Sequence, residues 1–201
     1  RHLLSLGYHV VGTLRPGSRW APTTLGRAYA YLDGVTLVDL DQRDHEGWAA
    51  VLEGLRPDEV YNLAGFTSVG ASWGAAETVA EANGMAVLRM LEELIRFRDR
   101  HGWAPRFFQP SSSEMFGATP PPQNEETPFY PRSPYGAAKV YAYWVTKNYR
   151  EGYTTDSLKT LMQDCAIGDT RVAYTNFVLS ELLLGVTKLA YGSQKARYNS
   201  Q

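Results

Sequence analysis

The residues with the most chemical potential lie between Phe107 and Lys139, in FFQPSSSEMFGATPPPQNEETPFYPRSPYGAAK. A serine cluster and Glu114 follow a short apolar run, and Tyr135 stands four residues before Lys139. Residues four apart share one face of a helix, and an ammonium close to a phenol lowers the pKa of that phenol. A free tyrosine titrates at ~10, so such a pair could act as a base near neutral pH. The spacing alone is more often typical of a solvated helix.

The Tyr135 and Lys139 pair is predicted to lie at the start of a helix. Ser133 is a good N-cap residue, because its hydroxyl can accept a hydrogen bond from a free N–H group of the first turn. Pro134 fits the first helical position, where a missing N–H costs nothing. The following sequence GAAKVYAYWVTKNY contains few helix breakers. We expect both side chains on one face of this helix, with Trp144 in the core.

Strand and helix patterns alternate along the chain. Strands are predicted for YHVVGTLR, VTLVDLD, DEVYNLAGF and RFFQP. A helix ends at Gly7, a second helix follows VTLVDLD with Asp39 as a candidate cap, and a polar loop covers residues 17–27. Residues 75–100 form a long helical pattern that places an apolar face against the sheet. That face consists of Val87, Met90, Leu91 and Leu94.

Composition excludes several classes of protein. The formal net charge is −1 over 201 residues, which argues against nucleic acid as the main partner. Cys165 is the only cysteine and the histidines show no ligand spacing, so we expect no disulfide, no metal site and a reducing compartment. The apolar stretch TNFVLSELLLGVTKLAYG has helical spacing after an Asn176 cap, but it is too short and polar to cross a bilayer. No signal peptide is recognisable, so we expect a cytoplasmic protein without membrane partners.

Three segments carry a resemblance to a known family: FFQPSSSEMFG, PQNEETPFYPRSPYGAAKVYAYWVTKNYRE and RPDEVYNLAGFTSVGASW. They resemble the extended short-chain dehydrogenases that act on nucleotide sugars, and most closely the GDP-mannose 4,6-dehydratase family. The resemblance covers about residues 7–152. It implies an α/β fold with a Rossmann-like, doubly wound parallel sheet. It also implies a lyase that works by internal hydride transfer through a bound nicotinamide cofactor.

The resemblance assigns catalytic roles residue by residue. Tyr135 is expected to take the proton of the sugar 4-hydroxyl, and Lys139 to lower its pKa and hold the nicotinamide ribose. Ser112 is expected to orient the substrate oxygen. Glu114 is expected to remove the C5 proton while water leaves C6. An epimerase needs no such base, so Glu114 favours a dehydratase, although it could also be a solvated loop carboxylate.

The resemblance also implies binding residues at the ends of the predicted strands. Arg15 would meet the 2′-phosphate of NADP, although position 16 is Pro where the family repeats Arg, so NAD stays possible. Ser72 would contact the nucleotide sugar together with Ser112 and Glu114. Within the family, an Asn at position 83 stabilises a local helix break and a proton relay; an exposed helix Asn is the alternative. The expected cofactor contacts are Arg15, Asp39, Leu40, Leu63, Ala64, Gly65, Tyr135 and Lys139.

The family's pattern is incomplete at both ends of this sequence. No glycine of the chain makes the glycine-rich turn that follows the first strand of such a sheet, so we expect that strand and turn to be missing, with unpaired edges beside the gap. We predict a Rossmann-like domain over residues 1–152 and a divergent, incomplete part of the substrate domain over residues 153–201. Pro110 stands where the family has Ala, and would cost a sheet hydrogen bond.

The alternatives are another nucleotide-sugar dehydratase or epimerase, and a truncated, inactive interaction module. Homodimers or homotetramers through the Tyr135 helix are expected.

Overall fold

The computed structural model describes residues 2–17 and 32–152, together with the backbone of residues 187–191. Several predicted features lie outside these residues. They are most of the polar loop of residues 17–27, Cys165, the Asn176 cap and most of the divergent segment. The helices are α1 (His2–Ser5), α2 (His45–Leu55), α3 (Ala76–Ala80), α4 (Ala86–His101) and α5 (Pro134–Gly152). The strands are β1 (His9–Leu14), β2 (Val35–Asp39), β3 (Glu59–Tyr61), β4 (Arg106–Phe108) and β5 (Thr187–Tyr191). Turns of 3₁₀ type cover Gly70–Gly74 and Ser113–Met115, and a π-helical turn covers Glu81–Met85.

The five strands form one sheet in the order β2-β1-β5-β3-β4. β1 pairs with β2 in parallel, as β3 does with β4, whereas β5 is antiparallel to both β1 and β3. β1 to β4 therefore all run in one direction. Their carboxyl ends gather at one side of the sheet, which we call the carboxyl edge. The predicted α/β class is confirmed.

β5 corrects two of the expectations drawn from the sequence. The facing edges of β1 and β3 are not left unpaired, because Leu189 lies opposite Val11 on one side and Val60 on the other. The helical spacing of TNFVLSELLLGVTKLAYG also predicted a helix over residues 187–191. These residues are extended and form β5. Two strand edges offer rows of unpaired backbone groups, and hydrogen bonding to them outweighs a local preference for helix.

One apolar core joins α2, α4 and α5 to the sheet. The predicted inner face of α4 is confirmed, since its members Val87, Met90, Leu91 and Leu94 are at most 2% exposed. Trp144 is 47% exposed, so its predicted place in the core is wrong. The buried face of α5 carries Ala138, Ala142 and Thr146. Position 144 lies two residues, or about 200°, around the helix from position 142 and faces away.

Helix starts agree with the sequence for α5 but not for α2. Ser133 caps α5 as predicted, because its Oγ accepts a hydrogen bond from the backbone N–H of Gly136 at 3.0 Å. Asp39 does not cap α2, since it is the last residue of β2. The cap is Asp44, whose Oδ1 accepts from the N–H of Gly47 at 3.0 Å.

The core position of α4 makes a direct stability test. Leu94→Ala should lower the free energy of unfolding by ~2–5 kcal/mol, because Leu94 is 2% exposed and a cavity would replace its side chain. Leu6→Ala is the matched control, with a change within ~0.5 kcal/mol, because Leu6 is 54% exposed. Urea unfolding followed by circular dichroism measures both. Equal losses in the two variants would contradict the core described here.

Candidate active site

The carboxyl edge of the sheet collects most of the residues predicted to act in chemistry or binding. Arg15 follows β1, Asp39 ends β2, residues 63–65 follow β3, and Ser112 lies beyond β4. Strand order brings these positions together although they are far apart in the chain. Ligands of open α/β sheets bind in the crevice outside this edge. The edge is therefore the candidate active site.

Ser112 and Glu114 lie in the turn that leads from β4 toward α5. Ser112 is extended, its Oγ accepts a hydrogen bond from the N–H of Glu114 at 3.3 Å, and its carbonyl accepts from the N–H of Met115 at 3.1 Å. Met115 is buried and anchors the turn. The side chain of Glu114 stays partly exposed. A short, anchored turn thus presents a hydroxyl and a carboxylate side by side.

Tyr135, in the first turn of α5, lies close enough to both of those groups for them to influence its pKa. Its phenol is partly buried. Burial raises the pKa of Tyr135 above 10.0, the hydrogen bond to Ser112 lowers it, and the negative charge of Glu114 raises it further. Ser112 and Glu114 therefore both act on the phenol of Tyr135.

Lys139 lies one turn further along α5, and its ammonium is directed at a backbone carbonyl. Its Nζ donates to the carbonyl oxygen of Pro110 at 2.7 Å. Burial lowers the pKa of Lys139 to about 8. In this structure burial is the largest influence on the pKa of Tyr135, and Lys139 does not lower it. The role of Lys139 in activating Tyr135 stays a prediction.

Pro110 lies just beyond the end of β4. The β3–β4 ladder ends with the hydrogen bond from the N–H of Asn62 to the carbonyl of Phe108, and Pro110 has no N–H to donate the next one. Its carbonyl also accepts from Nε2 of Gln109 at 3.3 Å, and Oε1 of Gln109 accepts from Nδ2 of Asn62 at 2.7 Å. Sequence reasoning missed these two amides. The available signal was a polar amide directly after a short strand: Asn62 follows β3, and Gln109 follows β4.

Asn83 fixes the loop that leaves β3. It lies in the π-helical turn, is 5% exposed, and clamps the backbone of Phe66. Its Oδ1 accepts from the N–H of Phe66 at 2.7 Å, and its Nδ2 donates to the carbonyl of Phe66 at 2.8 Å. Gly65 precedes this clamp with φ of 155°, where a Cβ would stand 2.7 Å from Oδ1 of Asn83. The predicted local break is confirmed and the exposed alternative is wrong, while the proton relay stays a prediction.

The predicted adenosine contacts lie at the ends of β1 and β2. Arg15 and Asp39 are exposed there, whereas Leu40 is 5% exposed and belongs to the core. A hydrogen bond from Arg43 lowers the pKa of Asp41, and the charge of Arg15 lowers it further. Arg15 is therefore within electrostatic reach of the segment that follows β2.

The remaining predicted binding residues differ in their exposure. Leu63 and Ala64 are partly buried beside Gly65 in the loop after β3. Ser72 is fully buried, and its Oγ donates to the carbonyl of Val69 at 2.5 Å. The Ser72 hydroxyl thus has an internal partner and no exposed surface to offer a ligand.

Comparison with known proteins identifies the family. A family model described as GDP-mannose 4,6 dehydratase matches residues 1–199. The chain belongs to the GDP-mannose 4,6-dehydratase family. The resemblance seen in the segments around Glu114 and Tyr135 is confirmed.

Curated members of the GDP-mannose 4,6-dehydratase family resemble most of the chain. GDP-mannose 4,6 dehydratase 1 of Arabidopsis thaliana is 41% identical over 75% of this chain and 43% of its own length. The GDP-mannose 4,6-dehydratase of Vibrio cholerae is 34% identical over 98% of this chain and 53% of its own. The human GDP-mannose 4,6 dehydratase is 33% identical over 94% and 51% respectively. The chain thus spans about half the length of these relatives.

Solved structures show the same Rossmann-like fold. The UDP-glucose 4-epimerase of Thermotoga maritima superposes with a TM-score of 0.62 at 22% identity, over 76% of this chain and 46% of that chain. The dTDP-glucose 4,6-dehydratase DesIV of Streptomyces venezuelae, with NAD and TYD bound, gives a TM-score of 0.54 at 24% identity, over 64% and 38%. The predicted fold is confirmed.

The low pKa of Lys139 predicts a pH-dependent stability. Its pKa falls from 10.5 to about 8 on folding, so the unfolded chain binds more protons between these values and the free energy of unfolding rises with pH there. Lys139→Met should therefore stabilise the protein at pH 7 by ~1–3 kcal/mol, with the gain fading as the pH approaches ~10.5. Denaturant unfolding across this pH range measures the difference. Lys147→Met, on the same helix, controls for an added methionine, and a gain that does not fade with pH would contradict the assignment.

Proposed function

We propose that the protein is a nucleotide-sugar dehydratase that converts GDP-mannose to GDP-4-keto-6-deoxymannose. The observation that carries this proposal is the convergence of Ser112, Glu114 and Tyr135 at the carboxyl edge, with Lys139 one helical turn beyond. A hydroxyl, a carboxylate and a phenol close together can orient a sugar hydroxyl, take its proton, and take a second proton from the neighbouring carbon. Family membership supports the choice of sugar nucleotide.

The described residues fit the two ends of a nicotinamide dinucleotide. Exposed Arg15 and Asp39 at the ends of β1 and β2 offer a cation and a carboxylate for the adenosine side. Tyr135 and Lys139 offer a phenol and an ammonium for the nicotinamide ribose. The positive φ and absent side chain of Gly65 let the loop after β3 pack closely against Asn83. In the described part of the chain, no glycine-rich turn follows a strand at the carboxyl edge. The residues therefore fit the adenosine and nicotinamide ends of the dinucleotide, and the proposal concerns these two ends.

The protein's own groups divide the proton transfers between them. Ser112 orients the 4-hydroxyl of the sugar toward Tyr135, and Tyr135 accepts its proton. Glu114 removes the proton from C5 and passes it to the C6 hydroxyl, which leaves as water, and Tyr135 returns to C5 the proton that it took from the 4-hydroxyl. A bound oxidised nicotinamide, held by Tyr135 and Lys139, would supply an acceptor for the C4 hydride, a positive charge beside the phenol, and the hydride that C6 gains.

To act as a base, Tyr135 needs a lower pKa than the one that the described residues give it. Burial and the charge of Glu114 raise its pKa, so a positive charge has to approach the phenol before it can act as a base. Lys139 is close along α5 and has a pKa of about 8, and its long side chain can turn from Pro110 toward Tyr135. We propose that this turn accompanies substrate binding.

We further propose NADP as the cofactor and self-association through α5. Arg15 supports NADP over NAD, because a guanidinium pairs well with a 2′-phosphate. Tyr141 and Trp144 are 42% and 47% exposed on α5 and could pack against a second copy in a dimer or tetramer. No helix in the described part of the chain is long and apolar enough to cross a membrane. Cytoplasmic location stays a prediction.

Two alternatives lead to different products. An epimerase or another nucleotide-sugar dehydratase would use the same Tyr135, and product analysis with several sugar nucleotides separates them. Glu114 beside the phenol favours elimination, because epimerisation needs no base at C5. An inactive interaction module would show neither turnover nor micromolar affinity for NADP.

The elimination step gives the central test of function. Glu114→Gln should lower the rate of 4-keto product formation from GDP-mannose by ~100-fold or more, because the C5 proton loses its acceptor. Formation of the keto sugar and incorporation of solvent deuterium at C5 measure the two events. Glu125→Gln changes an exposed carboxylate in the loop before α5 and should keep the rate within about twofold. Wild-type protein that binds NADP and forms no keto product would exclude the proposed activity.

Cofactor choice can be tested by binding alone. Arg15→Ala should weaken NADP binding by ~10-fold and leave NAD binding unchanged, because only NADP carries the 2′-phosphate. Titration calorimetry with both dinucleotides measures the ratio. Arg56→Ala, between α2 and β3, serves as a matched control with unchanged ratio. An equal effect of Arg15→Ala on both dinucleotides would argue against this phosphate contact.

A further inference from the structure

We propose that Gly136 is a positioning residue: its missing side chain lets the first turn of α5 approach the backbone of Glu114 and so sets the separation of the Glu114 carboxylate from the Tyr135 phenol. The inference rests on the proposed function of Glu114. It adds a residue that touches neither sugar nor cofactor and acts through its neighbour.

The evidence is the absence of space at Gly136. A Cβ at this position would stand 2.6 Å from the carbonyl oxygen of Glu114, 3.3 Å from its carbonyl carbon and 3.1 Å from Cβ of Pro131. An approach below 3.0 Å requires something to shift, and here the obstacle is backbone rather than the end of a flexible side chain. Gly136 lies inside a helix and has no positive φ. Lack of room, rather than backbone conformation, therefore calls for glycine.

The turn that carries Glu114 is held in place on several sides. The Ser112 side chain bonds its N–H, and buried Met115 follows it. The ring of Phe116 packs on Phe129 at 5.2 Å between centroids, and Phe129 packs on Tyr143 of α5 at 5.0 Å.

A second glycine, three residues after Glu114, lies close to the backbone of the segment that leads into α5. Gly117 has φ of 54°, and a Cβ there would overlap the carbonyl of Tyr130. The next residue, Ala118, donates its N–H to that carbonyl at 3.0 Å. A methyl group on Gly136 thus meets a segment with little freedom to retreat as a whole.

A Cβ at position 136 should displace the backbone of Glu114, and this displacement should change the pKa of Tyr135 through the charge of the Glu114 carboxylate. Pushing the carbonyl of Glu114 away from α5 moves its carboxylate away from the phenol of the residue that precedes Gly136. Coulomb interaction falls with distance, so Glu114 would disfavour the phenolate less. The same movement would misplace the proposed C5 base, and misplacement by about 1 Å can cost ~100-fold in rate.

The experiment compares Gly136→Ala with Glu114→Gln, using the pKa of Tyr135 as the readout. Tyrosine labelled with ¹³C at Cζ is titrated by NMR in the protein without substrate, and Tyr135→Phe assigns the signal. Both variants should lower the pKa of Tyr135 relative to wild type. In the Glu114→Gln background, Gly136→Ala should cause no further lowering, because the charge through which it acts is gone. Gly54→Ala, at a helical glycine with nothing within 4 Å, is the matched control and should leave Tyr135 unchanged.

Kinetics provide a second readout. Gly136→Ala should reduce kcat by ~10–100-fold with KM within about twofold, since it alters the reacting geometry and no binding contact. An unchanged Tyr135 pKa in folded Gly136→Ala, an equal shift in the Glu114→Gln background, or a variant that does not fold would each overturn the proposal. If Glu114→Gln itself leaves Tyr135 unchanged, the proposed role of Glu114 fails first, which separates the two failures.

Discussion

The site depends on the contact between the first turn of α5 and the turn that follows β4. Ser112 and Glu114 belong to one element and Tyr135 to the other, and only this contact brings the three side chains together. It is a backbone contact, made possible where Gly136 leaves no Cβ in front of the carbonyl of Glu114. Both partners are capped by serine hydroxyls: α5 by Ser133, and the turn by Ser112.

Burial shapes the electrostatics of this contact more than helical spacing does. Tyr135 and Lys139 share a helix, but desolvation raises the pKa of the phenol and lowers that of the ammonium. Both shifts favour the neutral form of each group. The carbonyl of Pro110 offsets part of the cost for Lys139 by accepting its hydrogen bond, and Gln109 bonds to the same oxygen. At neutral pH the structure thus holds a neutral phenol at Tyr135 and, one helical turn further on, an ammonium at Lys139 with a pKa of about 8.

The sheet supplies the frame that this site needs. Four parallel strands direct their carboxyl ends to one edge, and β5 fills the space between β1 and β3 in the opposite direction. The loop after β3 is held at that edge by Asn83 from the π-helical turn, so one amide links the helix layer to the loop. The fold of the GDP-mannose 4,6-dehydratase family is recognisable even with this antiparallel strand.

By itself the sequence determined the local features: the start of α5 at Ser133, the apolar face of α4, and the residue types around Glu114 and Tyr135 that identify the family. These depend on residues within a few positions of one another, where capping and helical period act directly. Tertiary structure alone decided the direction of the Lys139 ammonium, the burial of Ser72, the exposure of Trp144 and the extended state of β5. Each of these follows from contact with residues distant in the chain or from exclusion of water. The spacing of residues within a short segment predicts neither of these two effects.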